Sequence, residues 1–254
     1  MVVTIITTPA PKRFLVTAGN TREKIDSVRD WGNIFTGNTG LAIAKALACV
    51  GEVDLLTSNR AHIDELSRAP IAPYPIRASG FVSHEELKGG LAALMARGPY
   101  AAVFMTAAVA DYRPAGVFEV LERKPANAGN ETWTVRDVQA GKVKSSYGSI
   151  AVLGRPTEKL VDLFRTEWGH RGLLVKFKLE VRVNPEELLR VGEASRLASG
   201  ADYLVANALE MVQGDGAGAY LLSDAGHEWV ARADLPGRLV RVVSDAFPVK
   251  TGGS

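Results

Sequence analysis

Glycines, hydroxyls and side-chain amides crowd the stretch between Phe14 and Gly40. Phe14-Leu15-Val16-Thr17-Ala18 is a short apolar run that ends at Gly19, and Thr36-Gly37-Asn38-Thr39-Gly40 precedes a second apolar run from Leu41 to Val50. The chemistry this spacing suits is anion binding. Gly37 and Gly40 permit close backbone approach, and the hydroxyls of Thr36 and Thr39, with the free N–H groups of a helix start, can hold phosphate oxygens. The same residues also suit a plain connection in which Thr36 or Thr39 caps the helix.

Two phosphate motifs can be tested on it. A dinucleotide fingerprint needs G-x-G-x-x-G directly after the strand and an acidic residue at the end of the second strand. Here the turn is Gly19-Asn20-Thr21-Arg22 and the second strand, Val53 to Thr57, ends in Ser58-Asn59, so the ribose-binding acid is missing. The P-loop pattern G-x-x-x-x-G-K-[ST] is nearly met from Gly32 to Thr39, but Asn38 stands where the lysine belongs. Without that lysine the contact to the terminal phosphates is lost.

The elements that must position these residues follow from periodicity. The run to Gly19 reads as a buried parallel strand and Leu41 to Val50 as a helix packed on a sheet. Ile76 to Val82 reads as a third strand. Ser83 is an N-cap with Glu86 three residues on, opening a helix through Met95. Ala101 to Thr106 is a fourth buried strand. Strand and helix alternate, which predicts an α/β fold, a doubly wound Rossmann-like parallel sheet. Ligands in such sheets sit off the carboxyl ends of the strands, so Ala107-Ala108-Val109-Ala110-Asp111 and the Gly19 to Gly40 loop face one crevice. Asp111 can accept hydrogen bonds or hold a metal ion there, or simply cap the next turn.

From Ala115 to Gly141 the alternation breaks. Arg123 to Asn130 reads as a turn and Thr132 to Val135 as a short strand, together a β-rich hairpin excursion spanning 115–148, either a flap or a dimer contact. Lys142-Val143-Lys144 follows; a lysine returning beside the crevice would neutralise phosphate charge, and a solvated pair flanking a strand at Ser149 to Leu153 is the plainer reading. Pro156 to Trp168 is helical, Leu173 to Leu179 a strand, and Asn184-Pro185 caps a helix to Ala198. Tyr203 to Asn207 is another strand, with Asn207 at its carboxyl end. Gly214 to Gly218 is a glycine-rich turn, Ala219 to Leu222 and Glu228 to Ala231 an edge hairpin, and Arg238 to Phe247 a closing helix.

Composition bounds the rest. The 254 residues carry a net charge of +2 and 46% hydrophobic side chains, ordinary for one globular α/β domain over 1–254. No global field draws nucleic acid or membrane. The single cysteine, Cys49, falls in the first helix pattern and is expected in the core, in keeping with a cytoplasmic protein. The four histidines lack metal-ligand spacing, so no metal site is read from the chain itself.

Taken in order, these stations resemble phosphopantothenoylcysteine synthetase, the phosphopantothenate-cysteine ligase of coenzyme A biosynthesis. The residues that carry the resemblance are Thr17 to Arg29, Asn33 with Thr36-Gly37 and Gly40, Ala107 to Tyr112, Lys142-Val143-Lys144, Phe177-Lys178-Leu179-Glu180 and Val205-Ala206-Asn207. What it implies is a two-step ligation through an acyl-nucleotide intermediate, driven by ATP or CTP with Mg2+, on 4'-phosphopantothenate and cysteine, by a homodimer. By that resemblance Asn33 contacts the intermediate, with Ala108 at the substrate, and Lys142 serves its formation. Gly19, Thr36, Gly37, Gly40, Ala107, Asp111, Phe177, Lys178 and Asn207 are then members of the nucleotide site.

Several positions depart from the family. Asn20 stands for its usual second glycine, and Phe35-Thr36-Gly37 for its Ser-Ser-Gly or Ser-Thr-Gly; the excursion is longer than the family's flap. No flavin-dependent decarboxylase domain precedes Phe14, so the resemblance is to the stand-alone type, with no need of flavin. Phe177-Lys178-Leu179-Glu180 is closer to the eukaryotic pattern, which implies ATP. Two other classes stay open: a non-catalytic or altered-substrate nucleotide-binding relative, and an NAD(P)-dependent oxidoreductase, which the missing fingerprint disfavours.

Overall fold

The computed structural model describes residues 10–68, 72–138, 141–212 and 216–248. β1 (Arg13–Ala18) leads into a small antiparallel hairpin, β2 (Arg22–Lys24) with β3 (Asp30–Gly32), and then into α1 (Asn38–Leu47). β4 (Glu52–Thr57), α2 (Arg60–Leu66), β5 (Ile76–Gly80), α3 (His84–Met95) and β6 (Ala102–Met105) complete the first half. Three strands follow, β7 (Tyr112–Pro125), β8 (Glu131–Asp137) and β9 (Ile150–Pro156). The second half is α4 (Leu160–Thr166), β10 (Leu173–Glu180), α5 (Pro185–Ala198), β11 (Tyr203–Ala208), β12 (Gly218–Ser223), β13 (Gly226–Ala231) and α6 (Leu235–Ala246).

The main sheet has eight strands in the order β13-β12-β11-β10-β6-β1-β4-β5. The six from β5 to β11 are parallel and β12 and β13 are antiparallel at the edge. Numbered among themselves, the parallel strands run 3-2-1-4-5-6, the doubly wound order that the alternation predicts. The strand order reverses between β1 and β6, and a cleft opens there.

Both faces of the sheet are covered. Phe14 and Val16 point to one face with Ile43 and Leu47 of α1 and Leu239 of α6, whereas Leu15 points to the other with Leu87 and Leu91 of α3 and Phe164 of α4. That is why β1 reads as a continuous apolar run although its side chains alternate. Local signals hold at the helix starts. Ser83 Oγ accepts from Glu86 N–H at 3.2 Å, while the Glu86 carboxylate accepts from Val82 N–H at 2.7 Å, one residue ahead of a regular capping box. Asn184 Oδ1 accepts from Glu187 N–H at 2.8 Å, with Pro185 in the first turn of α5.

Some expectations shift. α1 starts three residues early, at Asn38, and Cys49 lies beyond its C-cap Ala48 and is exposed, not in the core. The buried positions Gly40, Leu41, Ile43, Ala44 and Leu47 form one stripe, and Cys49 continues the outward face of Ala42 and Lys45. α4 starts at Leu160 because Pro156 still belongs to β9, and α6 begins at Leu235 rather than Arg238. The strand expected near Ser149 is β9, which pairs with β7 outside the main sheet. The three-stranded arm β8-β7-β9 turns at Asn127–Gly129. Gly214 and Asp215 of the expected glycine-rich turn lie outside the described residues, as does most of the Met1 to Lys12 lead. Among the described residues no helix is long and apolar enough to cross a membrane.

Candidate active site

The loops after β1 and β6 are stitched into one ledge. Ala108 N–H donates to Gly19 O at 2.8 Å, Thr21 N–H to Ala108 O at 3.1 Å and Ala110 N–H to Thr21 Oγ1 at 2.8 Å. α1 starts against this ledge. Its N-cap is Gly37, in the left-handed region at φ 81°, and no side chain caps it. Neither Thr36 nor Thr39 takes that role, so the first-turn N–H groups of α1 have no side-chain partner. A Cβ on Gly37 would lie 2.1 Å from Gly19 N, and one on Gly40 would lie 2.4 Å from Thr106 Oγ1 and 2.8 Å from Thr17 O. Glycine at both positions is what lets the helix start seat on the ends of β1 and β6.

A crevice of about 480 Å³ opens over this ledge and runs across the carboxyl ends of β10 and β11. Eleven of the twelve residues singled out from the sequence line it: Gly19, Asn33, Thr36, Gly37, Gly40, Ala107, Ala108, Asp111, Phe177, Lys178 and Asn207. Asn33 Nδ2 donates to Ala108 O at 3.4 Å, and Asn20, at a position where the resembled family has glycine, donates through Nδ2 to Asn33 O. The departure at Asn20 therefore holds Asn33.

Lys142 is the exception and does not line the crevice. It is exposed, beside the buried Val143. The segment is tied to the tip of the β2–β3 hairpin by Asp26. The Asp26 carboxylate, its side chain 1% exposed, accepts Val143 N–H at 3.0 Å, Val28 and Arg29 N–H at 2.8 Å each and the Arg29 guanidinium at 2.7 Å. These bonds, the one from Val143 foremost, hold its pKa down at about 2.

Other lining residues escaped the sequence reading. Lys159, Lys176 and Arg232 add cationic charge, and Asn38 and Thr157 add polar atoms. Lys176 Nζ donates to Ser195 O and Oγ at 3.0 Å each and to Ser199 Oγ at 2.6 Å, and burial pushes its pKa down. Lys178 pairs with Glu180 at 3.0 Å. Of the lining carboxylates, Glu158 is held by Lys88 at 2.6 Å, and Asp111 has no ion pair among the described residues. Nothing local marks Lys159, Lys176 or Arg232, since only the register of β10 and the fold of the C-terminal half bring them to one place. Among the described residues no three His, Cys, Asp or Glu side chains cluster as metal ligands. The whole is a cation-rich crevice with an uncapped helix start, suited to a polyanionic ligand.

Residues 10–131 match the DNA/pantothenate metabolism flavoprotein C-terminal domain. The match holds the ledge, α1 and the first strand of the arm. Beyond it, the chain is 29% identical over 199 residues to the coenzyme A biosynthesis bifunctional protein CoaBC of Thermococcus kodakarensis, covering 78% of this chain and 42% of that protein. The chain thus spans less than half the length of this curated relative. The DNA/pantothenate metabolism flavoprotein structure from Streptococcus pneumoniae superposes with a TM-score of 0.72 at 23% identity, covering 93% of this chain and all of that one. A Cab2 variant in complex with phosphopantothenate-cysteine superposes with a TM-score of 0.65 at 14% identity, covering 92% of this chain and 87% of that one. At those identities the two structures establish the fold alone, over both halves of the chain.

Proposed function

We propose that this chain joins 4'-phosphopantothenate to cysteine in coenzyme A biosynthesis, as a nucleotide-driven ligase. The observation that carries the reading is the convergence of the resembling residues. Asn33, Thr36, Ala107, Asp111, Phe177 and Asn207 come from four separate segments and meet in one crevice at the reversal between β1 and β6. The name of the curated relative supports the pathway, and the phosphopantothenate-cysteine held by the Cab2 variant supports the product class.

In this reading the triphosphate lies over the start of α1, where N–H groups and Thr36 face it, with the base toward Phe177 and Asn207. The carboxylate of 4'-phosphopantothenate attacks the α-phosphorus, and the bond to the bridging oxygen breaks with its electron pair leaving on pyrophosphate. The cysteine amine then attacks the acyl carbon of the mixed anhydride, nucleoside monophosphate departs with the C–O electron pair, and the amine proton passes to water. Asn33, braced by Asn20 and Ala108, donates to the oxygens that gain charge. Lys142 takes part when the 141–144 segment closes over the nucleotide. Mg2+ is held by few protein carboxylates and by substrate phosphates in sites of this type, and Asp111, unpaired at the rim, fits that need. The metal would neutralise the triphosphate. ATP is the preferred nucleotide. The arm carries Leu121, Trp133, Val135, Ile150 and Leu153 exposed, and pairs two copies as a homodimer.

The test is pyrophosphate release by the purified protein with 4'-phosphopantothenate and ATP or CTP in turn, with and without cysteine. Release that needs phosphopantothenate, amide product that needs cysteine, and loss of both in Lys142→Ala and Asn33→Ala are expected. No release with either nucleotide overturns the reading in favour of a binding protein or of another acid. Competition between ATP and CTP decides the nucleotide.

A further inference from the structure

Asn38, the residue standing where a P-loop has its lysine, is not idle. It is the first residue of α1, it lines the crevice, and its Oδ1 lies 3.2 Å from Nε2 of His62. His62 is 3% exposed, on α2, behind the loop. Its Nδ1 lies 3.0 Å from Thr57 Oγ1 at the end of β4. The same Nε2 is also 3.2 Å from Asn59 Nδ2, a donor, so the ring nitrogen faces one donor and one acceptor and can serve only one.

One assignment of protons joins the ring to Asn38. Asn59 is fixed in its orientation, since its Oδ1 accepts Ala61 N–H at 3.1 Å and its Nδ2 donates to Thr36 O at 3.0 Å. Thr57 Oγ1 accepts Asn59 N–H at 3.2 Å and keeps its own proton, which it can give to His62 Nδ1. With Nδ1 accepting, the neutral ring carries its proton on Nε2 and donates it to Asn38 Oδ1. Asn38 then has its amide orientation set, with Oδ1 turned inward and Nδ2 turned out. That Nδ2 has no hydrogen-bond partner among the described residues.

The geometry points to His62 as a positioning residue that holds the Asn38 amide with its N–H groups toward the crevice, where they bind a phosphate oxygen of the nucleotide. The inference rests on the crevice being the nucleotide site. It gives the P-loop position a neutral donor in place of a cation, fixed from behind by the core of the second βα unit. The Asn59 bond to Thr36 O braces the neighbouring residue of the same loop.

The experiment is calorimetric titration of ATP and CTP, each with Mg2+, into the wild-type chain and five variants, with Tm measured alongside. Asn38→Asp keeps the acceptor for His62 but turns a carboxylate to the phosphates. It is expected to weaken binding at least about tenfold, the scale of one lost hydrogen bond to a charged group. Its Tm is expected unchanged or raised, because an acid suits the first turn of a helix, whereas a merely structural Asn38 would lose Tm and keep affinity. His62→Leu is expected to weaken binding, His62→Gln to recover it by donating from its own amide, and His62→Leu to have no further effect in an Asn38→Ala background. Wild-type affinity in Asn38→Asp, or additive effects of the His62 and Asn38 changes, overturns the inference. Should His62→Leu fail to fold, Asn38→Asp alone decides. Nucleotide binding without ligase turnover overturns the proposed function and leaves this inference to the variants; no binding of either nucleotide overturns both.

Discussion

The Asp26 carboxylate accepts the backbone N–H of Val143 across 117 residues of chain, at 3.0 Å. Two further bonds, Ser27 N–H to Gly141 O at 2.9 Å and Arg29 Nη1 to Val143 O at 3.1 Å, complete a clamp between the β2–β3 hairpin tip and the lysine-bearing segment. Asp26 and Arg29 both lie in the stretch that carries the family resemblance, yet neither lines the crevice. Their place is to hold Lys142's neighbours while Lys142 itself stays exposed.

Releasing that clamp should free the segment. In Asp26→Ala, trypsin is expected to cut after Lys142 and Lys144 faster than in the wild type, as followed by mass spectrometry of timed digests. Unchanged cleavage rates would show that the segment is held by other contacts.

The same carboxylate makes stability depend on pH in a defined window. Its pKa is depressed in the fold to about 2 from an ordinary 3.8, so its contribution is present above the unfolded value and is lost as pH falls through the folded one. The Tm gap between wild type and Asp26→Asn is therefore expected to be constant above about pH 5 and to close between about pH 4 and pH 2. A gap that persists at the acid end would assign the loss to shape rather than charge.

Gly37 and Gly89 make a matched pair. A Cβ at Gly37 meets Gly19 N at 2.1 Å in backbone at φ +81°, whereas one at Gly89, exposed in the middle of α3, meets nothing within 4 Å. Gly37→Ala should lose at least about 2 kcal/mol in urea unfolding, from left-handed strain and the clash together. Gly89→Ala should gain about 0.5–1 kcal/mol from helix propensity.

Cys49 is the only cysteine and is exposed past the end of α1. Native protein should react with one equivalent of a thiol reagent without unfolding, and modified protein should keep its nucleotide affinity, since Cys49 does not line the crevice. Slow reaction that speeds up only in denaturant would return the thiol to the interior.

The doubly wound order was legible because each parallel strand is a short apolar run flanked by its own turn, and the caps at Ser83 and Asn184 are local signals read within four residues. The meeting of Gly19, Gly40 and Ala107 was legible for a topological reason: strands that alternate with helices must put their carboxyl ends on one edge. Lys176 was invisible because a lysine inside an apolar strand declares neither its face nor its partners, and Ser195 and Ser199 lie on a helix that follows. His62 was invisible because its bonds join the ends of β4, α1 and α2, three elements whose spacing in sequence carries no period. The misplacement of Cys49 has a simpler origin. Starting α1 at Leu41 hid the stripe that begins at Gly40, and that stripe leaves Cys49 facing outward.

The arm leaves the ledge at Tyr112 and returns at Pro156, and its base is closed where Thr157 N–H donates to Asp111 O at 2.9 Å and Thr157 Oγ1 to Ala110 O at 2.5 Å. To the main sheet, three strands of added chain thus amount to a stitch between neighbouring residues. A closed base uncouples length from geometry: doubling a flexible loop costs only about 0.6 kcal/mol in closure entropy, so the arm can lengthen or shorten over generations while Asp111 and Thr157 keep their places. What evolution can vary freely here is reach, and what it must keep fixed is the doorway.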